Sequence, residues 1–374
     1  MKLLIQPDQG IKPLLDALRK AKKSIRILIF RFDRAEIEKA LVAAAQRGVR
    51  VEALIAHTNQ GEERNLRRLE SRLLAQGITV ARSADDLVRY HGKMMIVDDK
   101  LLYLLGFNFT HLDIDLSRSF GVVISKAGLV KEAVRLFDCD SRRQKFTNPA
   151  KDLIVSPINA RKRLTEFITG AKKQLLMYEM KLSDRDFLKL LNKKISQGVE
   201  VRILSRSSAK SSAIPVRRLP SRLHLRAILR DGDSAFLGSQ SLSKLELEAR
   251  REIGVIFRDK KTVKEMQAVF EKDWKQSEPV IAKEAAISAF NVPAKKVAKE
   301  VAKQIAIKPV VEQMLDKVID TKSDVPFEPA EVAQTVRDAF REEVHGAVAT
   351  ALEKMVVKAA REEDAKQEAS NGKG

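Results

Sequence analysis

Two short stretches of this sequence decide its fold and its chemistry. Residues 91–98 read HGKMMIVD, and residues 224–231 read HLRAILRD. In each stretch a cation follows the histidine by two positions and an aspartate follows the cation by five. Because residues two apart on a strand point to the same face, the imidazole and the cation are expected to project together.

This pairing favours phosphate chemistry over a structural role. A fixed cation opposes protonation of a neighbouring imidazole, so the pair contributes little to stability. At a phosphate, the cation binds non-bridging oxygens while the imidazole acts as nucleophile or general acid. Two such units face to face would put two imidazoles on opposite sides of one phosphorus, as in-line displacement requires. The candidate catalytic residues are therefore His91, Lys93, His224 and Arg226.

The sequence around the two stretches is also repeated. Residues 21–23 (AKK) recur at 171–173, and residues 47–51 (RGVRV) match 197–201 (QGVEV), both with an offset of 150. Each copy predicts helix, strand, helix and strand, a succession typical of an α/β unit. The predicted helices are 11–21, 35–47, 158–171 and 184–197, and the predicted strands are 25–30, 49–55, 175–180 and 199–204. The first copy adds a helix at 62–74 and a strand at 78–81, with little counterpart in the second copy.

Charge divides the chain into two parts. The net charge is +20, yet residues 281–374 carry 15 basic and 16 acidic side chains, so residues 1–280 carry 55 and 34, a net charge of +21. In the last segment apolar residues recur every four positions, as in Val297, Val301 and Ile305, which predicts amphipathic helices. We expect domains at 1–145, 146–280 and 281–374, the last an α-helical extension.

Composition excludes several classes of protein. The single cysteine, Cys139, excludes a disulfide framework and a cysteine-cluster metal site. No apolar run approaches the ~18 residues of a membrane-spanning helix, and the apolar run at the start is too short for a secretory signal. We expect a cytoplasmic protein with polyanionic partners or substrates.

The repeated motif resembles the signature of the phospholipase D superfamily, H-x-K-x4-D followed by a Gly-containing turn and found twice per chain. The first copy matches in full, and the second has Arg226 in place of lysine. The resemblance covers about residues 1–280. It implies two α/β halves with mixed sheets packed face to face, and an active site complete within one chain, so that no oligomer is required. It implies no metal and no cofactor.

The resemblance also implies roles for individual residues. One motif histidine would form a phosphohistidine, and the other would protonate the leaving alcohol. Residues of the following turns, Asn108 and Ser239 or Gln240, would bind phosphate oxygens with Lys93 and Arg226. Asp98 and Asp231 would fix local structure.

An acidic residue later in each half often orients the motif histidine in this family. Glu252 lies 28 positions after His224, and the matching position after His91 is Ser119. The sequence thus assigns an orienting carboxylate to His224 and none to His91, unless Ser119 or Asp113 substitutes. The resemblance favours His91 as nucleophile and Glu252 favours His224, so the choice stays open here.

Three functions remain compatible with the sequence. The first is a phospholipase D-like phosphodiesterase or phosphatidyl-transferase acting on phospholipids, peripheral at an anionic membrane surface. The second is a metal-independent nuclease of the same superfamily, for which the scarcity of aromatic residues (5%) is unfavourable. The third is a non-catalytic phosphate-binding scaffold, suggested by Arg226 and Ser119.

Overall fold

A computed structural model describes residues 1–58, 63–205 and 214–279. The predicted helical extension at 281–374 lies outside these residues, and the domain boundaries at 145 and 280 stay predictions. Within the described residues the chain is an α/β protein of two similar halves, each built on a mixed sheet, as the sequence predicts.

The first half is built on a sheet with the order β1-β8-β7-β6-β2-β3-β4. Its elements are β1 (Lys2–Gln6), α1 (Lys12–Lys20), β2 (Ser24–Ile29), α2 (Ala35–Gln46), β3 (Arg50–Ile55), α3 (Glu63–Ala75), β4 (Thr79–Arg82), β5 (Arg89–Tyr90), β6 (Met94–Val97), β7 (Leu101–Leu105), α4 (His111–Asp115), β8 (Ser117–Ile124) and α5 (Ala127–Ser141). Strand β2 is buried along its whole length because it lies between parallel β3 and antiparallel β6 with both faces covered. The motif strand β6 therefore occupies the centre of the sheet.

The second half repeats this plan on a sheet with the order β18-β12-β11-β10-β14-β15-β17-β9. Its elements are β9 (Leu153–Val155), α6 (Ala160–Thr169), β10 (Gln174–Glu179), α7 (Arg185–Ser196), β11 (Glu200–Ser205), β12 (Val216–Arg218), β13 (Arg222–Leu223), β14 (Arg226–Arg230), β15 (Ser234–Gly238), α8 (Lys244–Glu248), β16 (Arg250–Arg251), β17 (Ile253–Phe257), α9 (Lys260–Gln276) and β18 (Glu278–Pro279). Strand β12 pairs in parallel with β11, as β4 does with β3. The fourth strand of the unit is thus present in both halves, although its sequence in the second half gives no such signal.

Three apolar cores hold these layers together. Helices α1, α2 and α3 pack on the outer face of the first sheet, and α6 and α7 pack on that of the second. The central core joins the inner faces of both sheets to α5 and α9. There the Tyr178 ring packs edge to face with those of Phe120 and Phe270, at centroid distances of 5.4 and 5.1 Å. Among the described residues, no helix combines the length and apolar character needed to cross a bilayer.

Candidate active site

A reciprocal exchange of strands brings the two motifs together. The short strand before His91, β5, pairs with β16 of the second half, and the strand before His224, β13, pairs with β8 of the first half. The backbone N–H of His91 donates to the Arg251 carbonyl (2.7 Å), and that of His224 donates to the Arg118 carbonyl (3.0 Å). The backbone of each histidine is thus hydrogen-bonded to the opposite half of the molecule.

His91 is fixed at both ring nitrogens. Its Nδ1 lies 2.9 and 3.0 Å from the two carboxylate oxygens of Glu252, and its Nε2 lies 2.9 Å from Lys93 Nζ. Because the ammonium of Lys93 donates, Nε2 is the acceptor and Nδ1 carries the proton given to Glu252. The ring of Phe30 meets the imidazole edge to face at 4.4 Å.

The assignment of Glu252 to His224 was therefore wrong. Glu252 orients His91, across 161 residues of sequence. The physical reason is the exchange of β5 and β16, which places the residue after β16 beside the histidine of the other half. Sequence spacing within one half carries no information about that contact.

His224 uses a different carboxylate. Its Nδ1 lies 3.3 Å from Asp113 Oδ2, on helix α4 of the first half. Asp113 in turn accepts from the Arg222 guanidinium at 2.7 Å and from the backbone N–H of Asn108 at 2.9 Å. Asp113, considered from the sequence as a partner for His91, thus lies beside the other histidine.

Ser119, the repeat equivalent of Glu252, makes no such contact. Its side chain is fully buried, and its Oγ has no hydrogen-bond partner among the described residues. The expectation that Ser119 substitutes for an acid at His91 is not met, because Glu252 fills that place.

The two cations differ in their surroundings. Lys93 Nζ donates to the His91 carbonyl at 2.7 Å in addition to contacting the ring. Arg226 Nε donates to Ser241 Oγ at 3.0 Å, and its Nη2 lies 3.9 Å from Glu246. Within the part of the chain that is described, the buried Nη1 of Arg226 has no hydrogen-bond partner. That N–H group is therefore available to a bound anion.

Burial and mutual repulsion govern the ionisation of the basic groups. Burial, reinforced by the charges of Lys93 and Arg226, holds the pKa of the His91 imidazole well below its usual value. Burial likewise depresses the pKa of His224, although Asp113 opposes the shift. Burial lowers the pKa of Lys93 to about 7 in spite of the nearby Glu252 carboxylate. The free site thus disfavours additional positive charge.

The acids respond in opposite ways. Burial raises the pKa of Glu252. Burial also acts to raise that of Asp113, but His224 and Arg222 outweigh it and lower the value to about 2. Asp113 is therefore a carboxylate at neutral pH, ready to balance a protonated His224.

The two motif aspartates hold backbone, in agreement with the sequence analysis. Asp98 accepts hydrogen bonds from the backbone N–H groups of Lys22, Lys23 and Ser24, at 2.6–3.1 Å. Asp231 accepts three equivalent bonds from residues 172–174. Both have positive φ (56° and 54°), which aspartate tolerates better than most residues. They fix the end of the motif strand against the start of its neighbour.

The residues predicted to bind phosphate already have hydrogen-bond partners within the protein. The Asn108 amide already donates to Asp113 at 2.7 Å, and Ser239 Oγ accepts from the Ile253 N–H at 3.0 Å. Gln240 donates to the Ile154 carbonyl of strand β9, so its amide is committed to the core. The residue that contacts the cation of the second motif is Ser241.

Three residues of the site were not predicted from the sequence: Ser241, Glu246 and Phe30. An offset of 133 pairs Ser241 with Asn108 and Glu246 with Asp113. In both halves the acid accepts from the backbone N–H of its turn residue: Asp113 from Asn108, and Glu246 from Ser241 at 2.7 Å. The two motifs are related by the offset of 133, whereas the glycines of the turns that follow them, Gly106 and Gly238, are related by 132. Keeping the offset of 133 through the turns identifies Ser241 and Glu246. No sequence pattern marked Phe30.

Comparison with known proteins places this architecture. A family model described as "Cardiolipin synthase, PLD-like domain" matches residues 14–141 and 164–274, more than half of the chain. The chain belongs to the phospholipase D superfamily. The two matched segments lie one in each half, as expected for a member with two phospholipase D-like units. No curated protein sequence matches this chain.

Solved structures share the fold. Polyphosphate kinase from Porphyromonas gingivalis aligns with a TM-score of 0.65 and 19% identity, over 75% of this chain and 48% of the kinase. The alignment therefore spans about half the length of that enzyme. Phosphatidylserine synthase from Haemophilus influenzae Rd KW20 aligns with a TM-score of 0.57 and 12% identity, over 83% of this chain and 94% of the synthase. At these identities the likeness concerns the fold alone.

Proposed function

We propose that the protein is a phospholipase D-like phosphodiesterase or phosphatidyl-transferase that acts on phospholipids through a phosphohistidine. The observation that carries this proposal is the pair of motif histidines, each anchored by its backbone to the opposite half and each beside a buried carboxylate. Together with Lys93 and Arg226, whose charges act on both imidazoles, these groups provide the nucleophile, the proton donor and the anion-binding charges that phosphodiester exchange requires.

His91 is the nucleophile in this proposal. Glu252 holds its proton on Nδ1, so the lone pair of the ring lies on Nε2. When the Lys93 ammonium turns from Nε2 to a phosphate oxygen of the substrate, that lone pair attacks phosphorus. As the N–P bond forms, the bond from phosphorus to the leaving alkoxide breaks, and protonated His224 gives its proton to that oxygen. Water or a second alcohol then attacks the phosphohistidine and returns a proton to His224, and the N–P bond breaks. The Glu252 carboxylate stabilises the positive charge that His91 acquires.

Substrate charge completes the protonation pattern. Burial is the main cause of the depressed pKa values of the two histidines, and the charges of Lys93 and Arg226 add to it. A phosphodiester carries one negative charge, which would offset the contribution of these two cations. Binding therefore favours protonation of His224, and the Asp113 carboxylate, 3.3 Å away, balances the positive charge of the imidazolium. The leaving-group acid is thus loaded when substrate is present.

Exposed leucines beside the site favour a lipid substrate. Leu112 on α4 is 41% exposed and directly precedes Asp113, and Leu116, just after the end of α4, is 62% exposed. The counterpart of Leu112 on α8, Leu245, is 40% exposed and directly precedes Glu246. Apolar side chains flanking a basic cleft suit a bilayer surface, where they enter the acyl boundary while the cations meet phosphate. The protein would act peripherally at an anionic membrane.

The test uses the full chain with a chelator present. Purified protein is incubated with vesicles of phosphatidylcholine and phosphatidylglycerol and, separately, with plasmid DNA, alongside His91→Ala and His224→Ala. Release of choline or glycerol by the wild type, absent in both variants, is the expected result. Acid-labile phosphate trapped on the wild type and not on His91→Ala would identify the nucleophile.

A nuclease is the alternative, favoured by the net charge of +21 over residues 1–280. Nicking of the plasmid without lipid turnover would establish that activity and overturn the lipid assignment. Consumption of neither substrate, with no phosphohistidine trapped, would leave phosphate binding without catalysis as the function.

A further inference from the structure

Two buried ion pairs join the halves behind the active site. Arg251 Nη2 lies 3.2 Å from Asp140 Oδ1, and Arg118 Nε lies 2.9 Å from Asp273 Oδ2. In each pair the arginine belongs to one half, and the aspartate belongs to the last helix, α5 or α9, of the other half. The arginines and the aspartates are both related by the repeat offset of 133.

Each arginine lies directly behind one histidine. The Arg251 carbonyl accepts from the His91 N–H, and the next residue along the chain is Glu252, the partner of the His91 ring. The Arg118 carbonyl accepts from the His224 N–H. A displacement of either arginine would therefore move the backbone of one histidine and leave the other in place.

The guanidinium groups are themselves fixed within their own halves. Arg251 Nη1 donates to the Ser156 carbonyl at 3.1 Å, and Arg118 Nη1 donates to the Gln6 carbonyl at 2.9 Å. Each arginine thus contacts three groups: an edge strand of its own sheet, the aspartate of the other half, and the backbone of one histidine.

Burial indicates that these pairs serve geometry more than stability. Asp140 and Asp273 are both 2% exposed. Burying two opposite charges costs about as much as their attraction returns, so apolar residues of similar volume would hold the helices equally well. Unlike an apolar contact, however, an ion pair is directional, so it fixes the position of one half relative to the other.

We propose that Arg251 and Arg118 are positioning residues: the Arg251–Asp140 pair sets the position of His91, and the Arg118–Asp273 pair sets the position of His224. The proposal rests on the function proposed above, because its test depends on the separate roles of the two histidines. Weakening the first pair misplaces the nucleophile. Weakening the second misplaces the group that protonates the leaving alcohol.

The test compares two substrates that share one phosphatidyl group. Phosphatidylcholine releases a poor leaving group that needs a proton, whereas phosphatidyl-p-nitrophenol releases a good one that does not. For the single variants Asp140→Asn and Asp273→Asn, release of the leaving group in the first turnover is measured with both substrates. The later hydrolysis of the phosphohistidine, in which His224 accepts a proton, is common to the two substrates and is excluded in this way. The paired apolar replacements Asp140→Leu with Arg251→Met, and Asp273→Leu with Arg118→Met, remove each contact without leaving an unpaired buried charge. Thermal unfolding is measured for every protein.

A matched control lies on the same helix as Asp273. Glu271 pairs with Arg202 at 2.6 Å, and both residues belong to the second half. Glu271→Gln removes an ion pair from α9 without touching the contact between halves, so both activities should remain within threefold of wild type.

The expected pattern distinguishes the two pairs. Loss of the Asp140 contact should slow first-turnover release from both substrates at least tenfold. Loss of the Asp273 contact should slow first-turnover release of choline at least tenfold and that of p-nitrophenol less than threefold. Folded variants that match Glu271→Gln, or variants of both pairs that slow the two substrates equally, would overturn the positioning roles. Absence of turnover by the wild type would instead contradict the proposed function.

Discussion

The two motif histidines occupy repeat-related positions but have different partners. His91 is held by Glu252, which follows strand β16, while His224 lies beside Asp113 on helix α4. At the repeat equivalents of these acids stand Ser119 and Glu246. One symmetric framework therefore carries two unlike environments: a histidine with both ring nitrogens engaged, and one with a looser contact to a strongly ionised acid.

The cations repeat this contrast. Lys93 bonds to the imidazole and carbonyl of its own motif, whereas Arg226 bonds to Ser241 of the following turn. A lysine in a buried site can lose its proton, but a guanidinium stays charged. In the proposed function, Lys93 is therefore tied to the nucleophile, His91, and Arg226 is a fixed site for the phosphate.

The largest expected effect is that of Glu252→Gln. The glutamine NH₂ group can donate to Nδ1 and so favour the tautomer with its proton on Nε2, so kcat for phosphatidylcholine and for phosphatidyl-p-nitrophenol should both fall on the order of 10,000-fold, as when the aspartate of a catalytic triad is replaced by asparagine. Steady-state assays with both substrates measure this, with Glu271→Gln as control. Retention of activity within tenfold would mean that His91 needs no orienting carboxylate.

Asp113→Asn should show the opposite selectivity. Without its carboxylate the protonated form of His224 is destabilised, so phosphatidylcholine turnover should fall about 100-fold. Release of p-nitrophenol in the first turnover, which needs no proton and precedes hydrolysis of the phosphohistidine, should fall less than tenfold. If both substrates lose equally, the roles of the two histidines in the comparison must be exchanged.

Exchanging the cations tests whether the two positions are equivalent. Arg226→Lys should retain activity within tenfold, because the charge is kept at a site bounded by Ser241 and Glu246. Lys93→Arg should cost more than tenfold, because Lys93 is 1% exposed and its amine already contacts His91 on two sides. Parallel kinetics of the two variants measure the difference, and equal losses would remove the contrast between the cations.

The pH dependence of Lys93→Arg is a further test of the difference between the two cations. Burial lowers the pKa of Lys93 to about 7, so the amine loses its charge as the pH rises through that value and kcat/KM should decline on the alkaline side. In Lys93→Arg the guanidinium stays charged, and the remaining activity should be flat from pH 7 to 8.5. An unchanged alkaline decline in this variant would assign it to another group.

The smallest effects belong to the motif aspartates, where the halves should behave alike. Asp98→Asn and Asp231→Asn keep a residue that tolerates positive φ but weaken three backbone hydrogen bonds each, at a cost of about 1 kcal/mol in the free energy of unfolding. Chemical denaturation measures that change, and activity should remain within threefold. A large loss of activity without loss of stability would give these aspartates a chemical role.

Much of this fold could be predicted from the sequence. Strands β2, β3, β10 and β11 and helices α1, α2, α6 and α7 lie close to their expected positions, because their apolar spacing is local and repeated. Strand β12 was missed, since its three residues, VRR, carry too little apolar pattern to predict a strand.

The site was predicted less completely. The motif histidines and cations follow from the sequence, and the structure brings them together through strand exchange. Gln240 was expected at the phosphate, yet its amide bonds to the Ile154 carbonyl in the core. The equivalence of Ser241 and Asn108 is evident from their hydrogen bonds, since the backbone N–H of each donates to the acid five residues later. Matching the two turns by their glycines pairs the wrong residues.

By itself the sequence determined the duplication, the α/β units, the motif pairs and the distribution of charge, because each of these is written in local order along the chain. Only the tertiary structure decided which acid meets which histidine. That choice depends on two-residue strands that cross between the halves and join groups as far apart as His91 and Glu252. Such pairings are set by the packing of one half on the other, so they cannot be predicted from the local periodicity of the sequence.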